Sequence, residues 1–347
     1  MGAVIPVVIV AGFLGSGKTT LLNYLLRNNR GTRIGVVVND FGAVNIDAML
    51  VAGQVDAMVS LGNGCVCCAV DVSELDDLFA QLAQPRSAVD VIVVEASGLA
   101  EPRNLIRMIV ANPNPRIGYG GLVEVVDAEQ FGETSTRHPE LISHLKLADL
   151  VLVNKADRVT PEALTALRAQ ITEWVDQVPV YATTHGRVDP GLLFDERTRE
   201  EPKVAQQLSF DALLDDHDHD HDDPDHRHFH DDYVSVSFTS ERPLNPRALV
   251  EFLENPPHGL FRAKGCVAFA VESERRKFEM HLVGRHVTFT PGTWARGEQR
   301  VSSLVLIGAG LDADAALERL RATAFEGDSP LDDQAMLGIW RYTPSMV

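Results

Sequence analysis

Gly12-Phe13-Leu14-Gly15-Ser16-Gly17-Lys18-Thr19 fits the spacing G-x-x-x-x-G-K-[ST], in which glycines let the backbone wrap an anion and turn its N–H groups toward phosphate oxygens. The flanks complete the motif. Val7 to Ala11 is an apolar run of strand character, and Thr20-Leu21-Leu22-Asn23-Tyr24-Leu25-Leu26 has the spacing of a helix's first turns. A loop between a strand and a helix N-terminus gathers main-chain donors and the positive end of the helix dipole at one point. Gly12, Gly15, Ser16, Gly17, Lys18, Thr19 and Thr20 are therefore candidate nucleotide-binding residues. Lys18 is placed to reach the outer phosphates and is a candidate catalytic cation, and the Thr19 hydroxyl is placed to ligate Mg²⁺.

Outward from this loop, apolar runs alternate with amphipathic segments. Strands are predicted at Val4–Ala11, Ile34–Val38, Ala57–Ser60, Val91–Val94, Leu122–Val126, Leu150–Val153 and Val178–Tyr181, with helical patterns at Val72–Leu82, Pro102–Ile109 and Pro161–Val175. That alternation predicts an α/β fold, a phosphate-loop domain built on a mainly parallel sheet covered by helices. Ligands of such sheets bind beyond the carboxyl ends of the strands, so motifs that follow other strands should converge on the loop's rim. The domain is predicted to span residues 1–205. A His/Asp-rich linker over 206–232, read as disordered, is followed by a small α+β domain over 233–347. In that last part Val234–Phe238, Leu260–Val271, Lys277–Val283 and Val301–Ile307 read as strands of a mostly antiparallel sheet, and Pro246–Leu253 and Asp312–Ala322 read as two helices against it. Cys266 reads as a small core residue there.

Four motifs follow strands of the first domain. Asn39-Asp40-Phe41-Gly42 reads either as an Asx turn or as a nucleotide-sensing segment that aims Asp40 at a metal. Leu61-Gly62-Asn63-Gly64-Cys65-Val66-Cys67-Cys68 packs three of the chain's four cysteines into four positions. The glycines predict a loop, and three exposed thiols oxidise unless they have work to do. Soft sulfur ligands favour Zn²⁺ or Cu⁺ over Mg²⁺, so Cys65, Cys67 and Cys68 are candidate metal ligands. The absence of paired C-x-x-C motifs points to an exchanging site rather than a folding staple. Glu95-Ala96-Ser97-Gly98 ends a strand beside the loop, which places Glu95 to hold Mg²⁺ through water or to orient the attacking water. The same segment, with Ser97 and Glu101 around Pro102, also reads as a helix cap. Asn154-Lys155-Ala156-Asp157 is N-K-x-D, whose aspartate accepts two N–H bonds that guanine offers and adenine does not, while the lysine stem covers the ring. GTP is favoured over ATP, and Asn154, Lys155, Asp157 and, from Thr184-His185-Gly186, His185 are candidate base-binding residues.

The net charge of −18 excludes binding nucleic acid through its phosphates, which takes a basic face. About −8 of it lies in residues 215–232, with nine Asp and one Arg. His217, His219, His221, His226, His228 and His230 place six of the twelve histidines within fourteen positions. Such a tract buries no core, and its imidazoles ligate Zn²⁺, Co²⁺, Ni²⁺ or Cu²⁺, so these six are candidate ligands of a low-affinity collecting arm. Clustered rather than framework cysteines suit a reducing compartment. No apolar run approaches the roughly 18 residues of a membrane span, and the first residues read as a core strand rather than a signal peptide. The expected setting is cytoplasmic, without membrane or nucleic-acid partners.

Gly12–Thr19, Asn39–Gly42, Gly64–Cys68, Glu95–Gly98, Asn154–Asp157, the His-rich linker and Arg262–Gly265 stand in the order of one family. The chain resembles the CobW-like GTP-dependent metallochaperones, a group that includes proposed zinc chaperones and nitrile hydratase activators. The resemblance implies a GTPase domain followed by a small CobW C-terminal domain. It also implies slow GTP hydrolysis, metal held at C-x-C-C, and delivery to a client metalloprotein. Many members carry E-N-E-F-G-E after the second strand, where this chain has Val38-Asn39-Asp40-Phe41-Gly42-Ala43, so of those acids Asp40 alone remains. The expected cofactors are GTP and Mg²⁺, with Zn²⁺ (or Co²⁺) as cargo. Two alternatives stay open: an insertion factor for cobalt or another metal in cobalamin synthesis or nitrile hydratase maturation, and a passive metal buffer using the His tract.

Overall fold

Val and Ile dominate Ile5–Ala11 (β1), Ile34–Val38 (β2), Val91–Glu95 (β4) and Leu150–Asn154 (β6), and such β-branched runs belong in strands covered on both faces. With Ala57–Ser60 (β3), Ile117–Asp127 (β5) and Val180–Ala182 (β7) they form one sheet in the order β3-β2-β4-β1-β5-β6-β7. Every pairing in it is parallel. The computed structural model describes residues 4–38, 57–60, 72–84, 87, 89–98, 101–175, 177–195 and 233–343.

The helices of this half are Lys18–Arg27 (α1), Val72–Leu82 (α2), Pro102–Val110 (α3), Phe131–Arg137 (α4), Glu140–Leu145 (α5), Pro161–Val175 (α6) and Pro190–Leu193 (α7). They cover both faces of the sheet. Leu21, Leu22 and Leu25 of α1 pack on Val8, Val10, Val93 and Val123, while Leu75 and Phe79 of α2 and Leu105 of α3 pack on Ile9, Val94 and Leu122 from the other side. Cα register pairs Val10 with both Glu95 and Val123, so β4 and β1 finish side by side while β5 runs on past them to Asp127. The phosphate loop leaves from the middle of that rim.

The C-terminal half is a second sheet of order β11-β10-β9-β12-β8, made of Val234–Ser240 (β8), Leu260–Val267 (β9), Lys277–Val283 (β10), His286–Gly292 (β11) and Ser302–Gly308 (β12). All its pairings are antiparallel. Strict alternation along β10, Phe278, Met280 and Leu282 inward, puts one face on Pro246–Glu254 (α8), Ala313–Arg321 (α9) and Leu337–Arg341 (α10). Four corrections to the sequence reading arise here, the first being that β11 was not among the expected strands. The strand expected over Leu260–Val271 ends at Val267, beyond which single bridges from Phe269 to Leu244 and from Val271 to Leu331 replace the ladder. The helical cover includes α10 as well as the two expected helices. Cys266 is half-buried rather than in the core, because it pairs with exposed Glu279 on the face turned away from the helices.

The two sheets meet along a seam. Phe261 joins the α1-side core of the first half, and Val283 packs against that core from its rim. Gly121 has φ +111, a left-handed conformation, where β1 and β5 shift register, and a side chain there would press on Val283. Asp149, just ahead of β6, accepts bonds from Tyr119 Oη at 2.5 Å and Leu122 N at 2.9 Å. Gly284, with φ +54, passes so close to the Asp149 carboxylate that a Cβ would collide with it. Arg262 and Lys264 of β9 reach Asp195 at 3.0 and 2.7 Å.

Candidate nucleotide site at the carboxyl rim of the sheet

The loop after β1 is shaped by its glycines. Gly12 has φ +143, and a Cβ there would strike the Val125 carbonyl of β5; Gly17 has φ +104, and a Cβ there would strike the Asn154 amide. Gly17 is also the N-cap residue of α1 and offers no side-chain acceptor, which leaves the helix's first N–H groups directed into the loop. Lys18, 7% exposed, points back across the loop and donates to Gly12 O at 2.9 Å and Phe13 O at 3.3 Å. The ammonium thus sits on carbonyls within the cradle meant for phosphate. Gly15 is left-handed at φ +77 with open space beside it, and Thr20 lies exposed on the first turn of α1.

Thr19 Oγ1 donates to Glu95 Oε1 at 2.9 Å, which joins the loop to the last residue of β4. The odd–even alternation of β4 explains the meeting. Val93 faces the α1 side, so Glu95, two residues on, points to the same side as the first turn of α1. Ser97 does not cap α3: that role belongs to Glu101, whose side chain accepts from Arg103 N at 3.4 Å, with Pro102 following.

Asn154 ties three segments together. Its Nδ2 donates to Ser16 O in the phosphate loop and its Oδ1 accepts from Gly186 N, both at 2.9 Å, and it is 2% exposed. The Ala156 N–H bonds Thr183 O at 3.1 Å, fixing the segment after β6 to the segment after β7. Lys155 and His185 are both left-handed, at φ 59 and 55, conformations that cost energy for residues with a Cβ. Asp157 lies exposed in the short 3₁₀ turn Ala156–Arg158 and His185 is exposed on the facing loop. Asn154, Lys155, Asp157 and His185 therefore flank one end of the phosphate loop. Asp40, Cys65, Cys67, Cys68 and the histidines 217, 219, 221, 226, 228 and 230 lie outside the described residues; among the described residues no cluster of three metal-capable side chains occurs.

Two residues at this rim escaped the sequence reading, both from β5. Glu124 is 3% exposed and its Oε2 has no hydrogen-bond partner among the described residues; burial pushes its carboxyl up to about 8 against the opposing pull of Lys18. Beside it a small cavity runs under the loop, lined by Phe13, Leu14, Ser16 and, from α4, Phe131 and Thr134, and the buried Ser16 Oγ also lacks a partner among the described residues. The second residue, Asp127, holds Lys155 Nζ at 2.6 Å. A charge inside the apolar run Leu122–Val126 was the available signal for Glu124. For Asp127 there was none, because its partner comes from the next strand.

A parallel sheet with a glycine-wrapped phosphate loop, a threonine–carboxylate pair at its mouth and N-K-x-D on the adjoining loop defines a P-loop GTPase. Residues 6–182 match the CobW/HypB/UreG nucleotide-binding domain and residues 233–324 match the cobalamin synthesis protein cobW C-terminal domain. The chain belongs to the CobW family of GTPases. It is 32% identical to the zinc chaperone CobW of Pseudomonas aeruginosa over 363 aligned positions, covering 92% of this chain and 91% of that protein. It is 34% identical to the zinc chaperone YjiA of Escherichia coli over 283 positions, covering 79% of this chain and 85% of that protein. Among solved structures, the Zn(II)-bound YjiA GTPase of E. coli aligns with 94% of this chain and 100% of its own at 23% identity and a TM-score of 0.44. Among the described residues no helix is long and apolar enough to cross a membrane.

Proposed function

We propose that this chain is a GTP-gated carrier that holds zinc as cargo at Cys65, Cys67 and Cys68 and passes it to a client protein. The observation that carries the reading is the shared rim. Because β3 and β2 run parallel to β1 and β4, the carboxyl end of β3 at Ser60, which precedes Cys65 in the sequence, lies on the edge of the sheet on which the phosphate loop, Glu95 and Asn154 converge. The named relatives support zinc as the cargo. GTP enters the loop 12–19, its guanine reaching Asp157 between Lys155 and His185, while Asn154 keeps the phosphate and base segments in register. Lys18 leaves the Gly12 and Phe13 carbonyls for the phosphates.

Thr19 and Glu95 would hold Mg²⁺, a hard cation that takes oxygen ligands and neutralises charge on the phosphates. Their 2.9 Å pairing already brings two such oxygens together. GTP would order the segments that follow β2 and β3, and hydrolysis would release them, as γ-phosphate switches do.

The test separates the carrier from a buffer. Cys67→Ala in the full chain is expected to abolish one tight zinc site, read by chelator competition, and to leave GTP affinity without zinc unchanged. Zinc binding that survives Cys67→Ala but disappears when residues 215–232 are deleted would contradict the proposal.

A further inference from the structure

Lys155 stands in an uncommon backbone conformation, φ 59 and ψ 34, which turns its side chain back over the end of the neighbouring strand. There it meets Asp127. The two strands end in register, Asp127 opposite Asn154, so the acid sits one residue across from the base-reading segment. The Asp127 carboxylate is itself pinned: Oδ1 accepts the backbone N–H groups of Glu129 at 3.0 Å and Gln130 at 3.3 Å, leaving Oδ2 for Lys155 Nζ at 2.6 Å. The side chains are 9% and 21% exposed, too enclosed for the pair to be a solvated surface contact of little worth.

We propose that Asp127 is a positioning residue for nucleotide recognition, holding Lys155 so that its four-carbon stem is set as one wall of the guanine slot before the nucleotide arrives. This rests on the reading of Asn154–Asp157 as the guanine reader. Two physical consequences follow. A free lysine loses much rotamer freedom when its stem is laid against a ring, and that loss falls on binding unless the stem is already fixed. An ammonium committed to Asp127 also stays away from the Asp157 carboxylate, which has to remain open to the two guanine N–H donors. Asp127 touches no nucleotide atom in this scheme and acts only through Lys155.

Asp127→Asn keeps a carbonyl oxygen for the Glu129 and Gln130 N–H groups and removes the charge that holds Lys155. In the full chain, titrated with fluorescent GTP and GDP, this variant should bind both about tenfold more weakly. Its kcat at saturating GTP should stay near the wild-type value while its melting temperature falls by a few degrees, and Asp127→Glu should recover part of the affinity. In a Lys155→Ala background the same Asp127→Asn change should have less than a twofold effect. Wild-type affinity in Asp127→Asn overturns the proposal, as does an equal loss in both backgrounds, which would mark a structural role. Asp157→Asn checks the underlying reading separately: it should shift preference from GTP to xanthosine triphosphate. Failure of that shift removes the reader and the tether together, whereas a clean shift with an inert Asp127→Asn removes the tether alone.

Discussion

Two buried carboxylates, Asp149 just ahead of β6 and Glu124 within β5, have been treated differently by the fold. At the seam between the sheets, Asp149 receives the Tyr119 hydroxyl and the Leu122 N–H; burial lifts its carboxyl to about 6, and these bonds hold it from going further. At the phosphate rim, Glu124 is at least as buried, has an oxygen with no partner among the described residues, and is lifted to about 8. At the seam the Asp149 carboxylate is satisfied and a glycine makes room for it, while Nη1 of Arg262 finds no acceptor among the described residues. The rim keeps an orphan carboxyl, an orphan hydroxyl on Ser16 and two left-handed residues with side chains, Lys155 and His185. A polar group left unpaired in the interior and a left-handed residue with a side chain each cost free energy, and at the rim several of them gather beside the phosphate loop.

Breaking the seam should have the largest effect on stability. Gly284→Ala puts a Cβ against the Asp149 carboxylate at a left-handed position, so unfolding free energy should fall by about 3 kcal/mol. Denaturant melts measure this, and nucleotide affinity of the folded fraction should change less than twofold. A matching loss of GTP affinity would show that seam and rim are one unit.

Glu124→Gln sharpens the contrast with an effect of opposite sign. The folded carboxyl titrates at about 8, above its ordinary 4.5, so the folded state binds the extra proton. Its contribution to stability is fully present below 4.5 and is lost as pH rises through 8. Glu124→Gln should therefore be more stable than the wild type at pH 7, by up to about 3 kcal/mol. The gap should widen up to about pH 8 and level off above. A flat difference between pH 5 and pH 9 would show that Glu124 is not held protonated.

Most of the fold could be read from the residues because local rules and tertiary demands agree there. The phosphate loop, its flanking strand and helix, and the Val/Ile runs of β2, β4 and β6 each carry their own signal. The antiparallel half was legible where alternation is strict, as in β10. In β11 the strand went unread although His286 to Thr290 alternates polar and apolar residues as β10 does, with only Pro291 and Gly292 breaking the run; in the first half the short α4 and α5 went unread because few residues give little periodicity. Within the site, N-K-x-D and the phosphate loop were visible as motifs because their chemistry fixes residue spacing. The pairing of Asp127 with Lys155 depends on strand register, and the shared enclosure of Glu124 and Ser16 depends on β5 lying beside β1. Both are contacts across the sheet that no linear spacing encodes.

The central claim is that metal and nucleotide sites are felt by each other across the rim. Zinc affinity of the full chain, measured by chelator competition with and without a non-hydrolysable GTP analogue, tests it most directly. Linkage predicts a change of about 5–150-fold, tighter with the analogue than without, and the same factor in GTP affinity when zinc is added. Equal zinc affinity in the two conditions would contradict the account.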